Sequence, residues 1–504
     1  MLQFAPIVPE VILTVSLICI CFVDLFQRKN PPYKKGWETV WIPSLGLVLS
    51  IFVLLWRLPQ PPSLILGGAF AEDSLGICFR LIIAISSFIS ICLCFDYLQM
   101  GSVPAAEFVI FILTATIGGM LLSASNDLVL AFVAFECLSL SSYLLAGYTR
   151  KDLRSQESAA KYLILGSASS CALAYGFSWL YGLGGGSTSF QEIGFALKEY
   201  ESLPLATWIA FLFVFFGIGF KLSAAPFHQW APDVYEGSPT PSVAFLSVSS
   251  KAAGLAIAAR LLWVVFPTLQ PQAGQIVQVL AILSMLVGNL VAACQSHMKR
   301  MLAYSSIGQI GYLLLALSLE HGQGQNSLLL YLGTYVFMNM GAFACIIILS
   351  LQIGTDSIRS YAGLFQTKPL ICASLSLCLL SLAGLPPLVG FFGKTYLFWT
   401  TWQGQLYIPT IIGVLTSALS LYYYLRVIRI MFTQETKGTL SWQQLGFTGQ
   451  KRMTLALVKE KQTTPGLLAI TLFVCASIVS LLSFLIGPLT NIVNSLLFFY
   501  NDGL

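Results

Sequence analysis

Long apolar stretches, separated by short polar ones, repeat along the whole chain. A transmembrane helix needs about 20 mostly apolar residues, and proline, glycine and charged residues mark where each stretch ends. The pattern predicts fourteen transmembrane helices, and hence an all-α polytopic membrane protein. The predicted helices cover residues 7–26, 38–57, 75–96, 104–123, 126–148, 158–183, 205–226, 240–264, 274–295, 299–319, 327–351, 370–401, 406–432 and 466–490.

Composition agrees with a protein that lies in a bilayer. Of the 504 residues, 57% are hydrophobic and 9% are charged, whereas soluble domains carry about 25% charged residues. The twelve cysteines all fall in apolar stretches without CxxC spacing or histidine partners, so we expect no metal site or other cofactor on this chain. We expect lipid rather than nucleic acid around it.

The basic residues predict an orientation. Loops on the cytoplasmic side of a membrane retain lysine and arginine, and most basic residues here follow an odd-numbered predicted helix. We therefore expect both termini on the opposite, non-cytoplasmic side. The basic residues after odd-numbered helices include Arg28, Lys29, Lys34, Lys35, Arg150, Lys151, Arg154, Lys299, Arg300, Arg359 and Lys368.

Two charges lie near the middle of predicted helices. Glu136 is in the fifth helix and Lys251 in the eighth, each about 15 Å from either helix end at about 1.5 Å per residue. A charge at that depth costs about 2.5 to 3.5 kcal/mol on insertion scales. Such residues either form ion pairs that only fix helix packing or belong to an ion path. Because buried lysines outnumber buried acids, we expect at least one lysine to exchange a proton.

Two further lysines lie beside proline interruptions. Lys221 precedes Pro226, and Lys394 follows the Pro386–Pro387 pair. Interrupted helices at membrane depth tend to line cavities, and a matching pair of them points to a transporter site. The interrupted helices are five apart, and an odd offset reverses direction across the membrane. Helices 4–8 and 9–13 are therefore predicted to be inverted repeats.

Two residues are weaker candidates. His228 follows the interruption in the seventh helix, where it would suit proton relay or an interfacial hydrogen bond. Lys161 lies about one turn inside the sixth helix, where snorkelling explains it as well as transport does. The nearby Asp233 and Glu236 are predicted to lie in a re-entrant or surface loop, without a chemical role.

Four segments carry a family resemblance. The chain resembles the subunit 2 family of proton-pumping complex I, and is most similar to its plastid and cyanobacterial members. The likeness is strongest between residues 113 and 394 and extends more weakly over nearly the whole chain. The segments are LTATIGGMLLSASNDLVLAFVAFECLSLSSYLLAGY, GFKLSAAPFHQWAPDVYEGSPTPSVAFLSVSSKAAG, MKRMLAYSSIGQIGY and SLAGLPPLVGFFGK.

The resemblance implies roles for matching residues. Glu136 and Lys221 would form an ion pair, Lys251 would be the central lysine, and Lys394 would lie on the exit side. Many relatives have histidine where this chain has Gln309, so the link between Lys251 and Lys394 would be hydrated. The implied domains are an N-terminal three-helix segment (1–103), two antiporter-like repeats (104–264 and 265–432), and a loop with a C-terminal helix (433–504).

The resemblance also implies a function. The chain would be a proton-translocating subunit of an enzyme that passes electrons from ferredoxin or NAD(P)H to plastoquinone and pumps protons across a thylakoid membrane, in a plastid or a cyanobacterium. Plastoquinone and iron-sulfur clusters would be on other membrane and peripheral subunits, and both termini would be lumenal. The alternatives are a cation/proton antiporter subunit without redox partners and a structural membrane anchor.

Overall fold

The computed structural model is almost entirely α-helical. All fourteen predicted helices have counterparts in it, which confirms the all-α polytopic fold. Eleven helices among the described residues are long and apolar enough to cross a membrane on their own. The described residues are 2–28, 38–101, 104–199, 204–433, 466–483 and 487.

Three helices and a hairpin form the N-terminal segment. They are α1 (Val8–Arg28), α2 (Glu38–Arg57) and α3 (Ser74–Gly101), and the antiparallel strands β1 (Ser63–Ile65) and β2 (Phe70–Glu72) lie between α2 and α3. The sequence pattern did not predict this hairpin, because its strands have only three residues each.

The next group runs from residue 105 to residue 260. Aspartates begin two of its helices, because Asp127 accepts hydrogen bonds from the first backbone N–H groups of α5 and Asp152 does so for α6. The group comprises α4 (Ala105–Ala124), α5 (Leu128–Ala146), α6 (Leu153–Leu183), α7 (Phe190–Glu199), α8 (Leu205–Leu222), α9 (Trp230–Gly237) and α10 (Thr240–Arg260).

The last group contains the second interrupted helix. It comprises α11 (Gln270–Ala293), α12 (Met298–Leu317), α13 (His321–Ile353), α14 (Leu364–Thr367), α15 (Pro369–Ala383), α16 (Val389–Gln403), α17 (Tyr407–Phe432) and α18 (Gly466–Leu481). The predicted loop 433–465 lies outside the described residues, except for Thr433, as do 484–486 and 488–490 of the predicted last helix.

The two groups pack their helices in corresponding pairs. α4 packs on α5 as α11 packs on α12, α4 packs on α10 as α11 packs on α17, and α6 packs on α8 as α13 packs on α15. These correspondences are the ones expected between helices 4–8 and 9–13. They support the prediction of two repeats.

Helix α10 is the centre of the fold. Every residue from Thr240 to Arg260 is buried, although the helix contains Lys251 and four serines. The outer helices instead expose large apolar side chains such as Phe52, Val133 and Ile408, as expected for surfaces that face lipid. The polar residues of α10 are therefore enclosed by protein.

The prediction for Asp233 and Glu236 was wrong about local structure. Both lie on the short helix α9 and not in a loop. The sequence pattern did not predict this helix, because eight residues with two acids and a proline do not resemble a membrane span.

Candidate functional site

Lys221 ends the first half of the interrupted seventh span. Its side chain is buried, and its ammonium Nζ donates to the hydroxyls of Ser139, at 3.2 Å, and Ser142, at 3.4 Å, both on α5. The aromatic rings of Phe135 and Tyr162 also face the ammonium, with centroids 5.7 and 5.9 Å away. Lys221 is thus surrounded by neutral groups.

Glu136 does not form the direct ion pair that the resemblance implied. None of the ion pairs among the described residues joins it to Lys221, and its Oε1 is buried without a hydrogen-bond partner. Instead, Ser139, one turn further along α5, accepts a hydrogen bond from the ammonium.

The interruption after Lys221 is held by side chains. Ser223 adopts a left-handed conformation, with φ +57°, and ends α8. The Nε1 of Trp230 donates to the carbonyl of Phe220 at 2.8 Å, and the backbone N–H of Ala225 donates to Ser284 at 2.9 Å. Protein groups therefore satisfy backbone that the missing helical turn leaves free.

His228 lies in the interruption and is only partly buried. Its Nδ1 is buried without a hydrogen-bond partner, and its ring is 6.5 Å from that of Tyr304. None of its hydrogen bonds among the described residues reaches Lys221, Lys251 or Lys394.

Lys251 lies in the middle of α10 and is 1% exposed. Its Nζ donates to the Ser306 hydroxyl on α12 at 2.9 Å, and the ring of Tyr235 has its centroid 5.9 Å away. Ser306 in turn donates to the carbonyl of Ala303 at 2.7 Å. No ion pair among the described residues includes Lys251, so its charge faces neutral dipoles alone.

Gln309 follows Ser306 by one helical turn, and therefore on the same side of α12. Its side-chain oxygen accepts a hydrogen bond from Tyr331, and its Nε2 donates to the carbonyl of Leu382 at 3.4 Å. Gln309 thus connects the surroundings of Lys251 to the second interrupted helix.

Lys394 binds backbone carbonyls at the interruption of its own predicted helix. α15 ends at Ala383 because Gly384 takes a positive φ of +87°, and α16 starts only at Val389. The Nζ of Lys394 reaches back to the carbonyls of Leu382, at 2.8 Å, and Ala383, at 3.2 Å. The carbonyl of Leu382 therefore accepts hydrogen bonds from both Lys394 and Gln309.

These contacts connect two of the predicted lysines, Lys251 and Lys394. Lys251, Ser306, Gln309, Leu382 and Lys394 follow one another through direct hydrogen bonds or one turn of α12. Lys221 lies apart from this series: its ammonium binds α5, and its side chain packs near Gly254 of α10. We call Lys221, Lys251 and Lys394 the lysine axis.

Lys161 lies outside the lysine axis. Its side chain is 44% exposed and forms ion pairs with Glu157, at 2.7 Å, and Asp233, at 3.0 Å. Asp233 also pairs with Arg300, at 2.9 Å, and Glu236 pairs with the same arginine at 3.1 Å. These residues form a surface network.

A second group of buried charges lies in the N-terminal segment, and sequence reasoning missed it. Arg80 is fully buried and contacts Glu10 at 3.3 Å and Glu72 at 3.7 Å, while Arg57 also pairs with Glu72. Arg80 further donates to the carbonyl of Pro6 at 3.0 Å. We call Glu10, Arg57, Glu72 and Arg80 the arginine cluster.

The hydroxyl groups that hold the lysines were also missed. Ser139, Ser142 and Ser306 are ordinary residues in helices rich in serine, and nothing in their spacing marks them. The only available signal was that serines recur one turn from Glu136 and from Gln309 in the sequence.

The described residues include no group of three or more histidine, cysteine or acidic side chains that could hold a metal ion. The twelve cysteines, all of which lie among them, form no disulfide.

Comparison with known proteins places these features in context. The family described as NADH:quinone oxidoreductase/Mrp antiporter, TM, matches residues 125–420. NAD(P)H-quinone oxidoreductase subunit 2, chloroplastic, of Zygnema circumcarinatum is 49% identical over 440 residues, which is 87% of each chain. The protein of that name from Chlorokybus atmophyticus is 47% identical over 492 residues, 97% of this chain and 94% of the relative.

Solved structures share the fold. A chain in respiratory complex I from Thermus thermophilus with bound aureothin superposes with a TM-score of 0.74 at 29% identity, covering 96% of this chain and 98% of that one. The matched region of the family includes Glu136, Lys221, Lys251 and Lys394.

Proposed function

The chain belongs to the NADH:quinone oxidoreductase/Mrp antiporter family of membrane proteins, and we propose that it translocates protons as an antiporter-like subunit of a complex I-like quinone oxidoreductase. The enzyme as a whole would pass electrons from ferredoxin or NAD(P)H to plastoquinone. Relatives at 47% and 49% identity bear the name of such an oxidoreductase, which favours this function over a cation/proton antiporter without redox partners.

One observation carries the proposal: three buried lysines have no direct ion pair and are held by serine hydroxyls or backbone carbonyls. A neutral acceptor binds an ammonium but still allows it to lose its proton. No opposite charge is left unpaired in the interior when the proton departs. Lysine in such surroundings can lose and regain a proton. A purely structural anchor has no need of this arrangement.

The order of residues suggests a direction for the protons. They would pass from Lys221 to Lys251, then along Ser306 and Gln309 to Lys394. Like charges on adjacent lysines repel each other, so that arrival of one proton favours departure of the next. Glu136 would set the charge of Lys221 from a distance, by approaching it or withdrawing.

The finer assignments follow from this function. We infer that plastoquinone and iron-sulfur clusters are held by other membrane and peripheral subunits, that the membrane is a thylakoid, and that both termini are lumenal. The repeats would be residues 104–264 and 265–432, preceded by the three-helix segment 1–103 and followed by 433–504. Co-purification of iron-sulfur subunits with the tagged chain tests the assembly.

Substitution of Lys221 by Met and of Glu136 by Gln tests the proton path. Each change keeps the size of the side chain and removes its charge, so we expect the complex to assemble and proton pumping to fall by about tenfold or more. Pumping is measured in vesicles as dye-reported proton uptake during quinone reduction. Lys161→Met is the matched control, because that exposed lysine lies outside the axis. Normal pumping in both charge variants would exclude the path.

A further inference from the structure

The helices around Lys394 contain no counterpart of Glu136. In the paired packing of the two groups, α12 corresponds to α5, the helix that carries Glu136, but α12 has no acidic residue. Between residues 270 and 432 the sequence contains only two acids, Glu320 and Asp356. No ion pair among the described residues joins either of them to Lys394.

The main neighbours of α16 also leave Lys394 without an opposite charge. These neighbours are α12, α13, α15, α17 and α18, and none of the five contains an acid. Their basic residues lie toward the helix ends, and their other titratable residues are tyrosines and cysteines. The basic residues are Lys299, Arg300, His321, Arg426 and Arg429. A positive charge on Lys394 is therefore stabilised by neutral groups.

Tyr312, on α12, presents its ring to the ammonium of Lys394. The ring centroid is 5.1 Å from Nζ, closer than the rings that face Lys221 and Lys251, at 5.7 to 5.9 Å. A cation over a ring and within about 6 Å of its centroid is attracted by the negative face of the ring. The carbonyls that bind Lys394 can accept hydrogen bonds from an ammonium or from a neutral amine. The attraction to the ring, in contrast, depends on the positive charge.

The ring of Tyr312 is held in place by three other helices. The residue is 1% exposed. The Nδ2 of Asn289, on α11, donates to its hydroxyl at 3.4 Å, and the hydroxyl of Thr416, on α17, lies 3.3 Å from it. Phe398, one turn after Lys394 on α16, packs edge-to-face with the ring, with centroids 5.7 Å apart. The ring therefore cannot turn away from the lysine without losing these contacts.

We propose that Tyr312 is a positioning residue whose ring takes the place of a carboxylate opposite Lys394 and stabilises the charged form of this lysine. The inference rests on the proposed proton path. The ring carries no net charge, so no charge is left unpaired in the interior when the proton departs. No covalent bond of the tyrosine changes: a proton arrives on the Nζ of Lys394 from the side of Gln309 and later leaves from the same atom.

The variant Tyr312→Met removes the ring and keeps an apolar side chain that adapts to its surroundings. Without the ring, Lys394 should become neutral at a lower pH than in the wild type. We expect the pH at which pumping falls to half its maximum on the alkaline side to move down by about one unit, which corresponds to about 1.4 kcal/mol. Protons taken up per quinone reduced are measured in vesicles that contain the assembled complex, over a series of pH values.

Tyr312→Phe separates the ring from its hydroxyl. This variant keeps the ring and its contact with Phe398, and loses only the hydroxyl that Asn289 and Thr416 hold. Because phenylalanine also attracts cations, we expect the pH dependence of pumping to stay at that of the wild type. A shift as large as that of Tyr312→Met would overturn the proposal, since the hydroxyl rather than the ring would then be responsible.

Tyr361→Met is a matched control for the loss of a buried ring. Tyr361 is 0% exposed, and none of the contacts between a ring and a cation among the described residues includes it. We expect the pH dependence of the wild type from this variant. A downward shift equal to that of Tyr312→Met would overturn the proposal, because it would reflect packing alone.

Two further variants make each result decisive. If Tyr312→Met does not assemble, Tyr312→Leu removes the ring with a side chain of another shape, and failure of both to assemble would contradict the proposal by giving the ring a role in folding. If Lys394→Met pumped normally, the proposed proton path through this lysine would fail. If Lys394→Met were impaired but Tyr312→Met kept the pH dependence of the wild type, only the role of Tyr312 would fail.

Discussion

The arginine cluster and the lysine axis are both buried groups of charge, but they are held in opposite ways. Each charge of the cluster touches an opposite charge, as Arg80 does with Glu10 and Glu72. Each lysine of the axis touches only neutral oxygen atoms.

This difference separates structural charges from functional ones. The charges of two arginines and two carboxylates in direct contact sum to zero. Removal of one arginine or one carboxylate leaves an uncompensated charge in the interior. Arginine also keeps its proton under all ordinary conditions. The cluster therefore joins α1, α2 and α3 permanently, whereas the axis can change its charge without breaking an ion pair.

The largest effect should come from Arg80→Met. Glu10 and Glu72 would lose their shared partner, and the loss of one member of a buried ion pair costs about 3 to 5 kcal/mol. We expect the unfolding temperature of the purified protein in detergent to fall steeply. Lys161→Met is the control, because its ion pairs with Glu157 and Asp233 are exposed and such pairs contribute little to stability. Equal losses from both variants would show that the buried contacts of Arg80 stabilise the protein no more than surface ion pairs do.

A smaller effect on stability, but a large one on function, should come from Lys251→Met. Ser306 would still donate to Ala303, and a change that conserves volume costs less than about 1.5 kcal/mol. We expect proton pumping to fall by tenfold or more while the unfolding temperature stays near that of the wild type. A fall as steep as that of Arg80→Met would mean that the two regions do not differ.

The smallest effect should come from Gln309. Gln309→Leu removes the acceptor of Tyr331 and the donor to Leu382, and should slow pumping several-fold by interrupting the link between Lys251 and Lys394. Gln309→His supplies a polar, titratable side chain and should pump at close to the wild-type rate. If leucine and histidine gave the same rate, the side chain at this position would not take part in proton transfer.

The sequence predicted what depends on length, hydrophobicity and single unusual residues. Each predicted helix has a counterpart, and Lys221, Lys251 and Lys394 stood out because lysine is rare in apolar stretches. Interruptions were visible as Pro226 and the Pro386–Pro387 pair. These are local properties, and no knowledge of packing is needed to read them.

Contacts between distant helices could not be predicted in this way. Ser306 meets Lys251 although 55 positions separate them, and Glu72 meets Arg57 from a hairpin. Hydrophobic periodicity states which side of a helix is buried but not which neighbour it meets. The family resemblance paired Glu136 with Lys221, but Ser139 is the residue that accepts a hydrogen bond from Lys221. This contact too could not be predicted from the sequence.

The burial of α10 along its whole length has a mechanical consequence. A bilayer that is too thick or too thin for a protein tilts or compresses the helices that touch lipid. Because no residue of α10 reaches the lipid, such forces act on the outer helices and reach Lys251 only after the surrounding protein has absorbed them. We therefore expect the protonation of the central lysine to depend little on bilayer thickness.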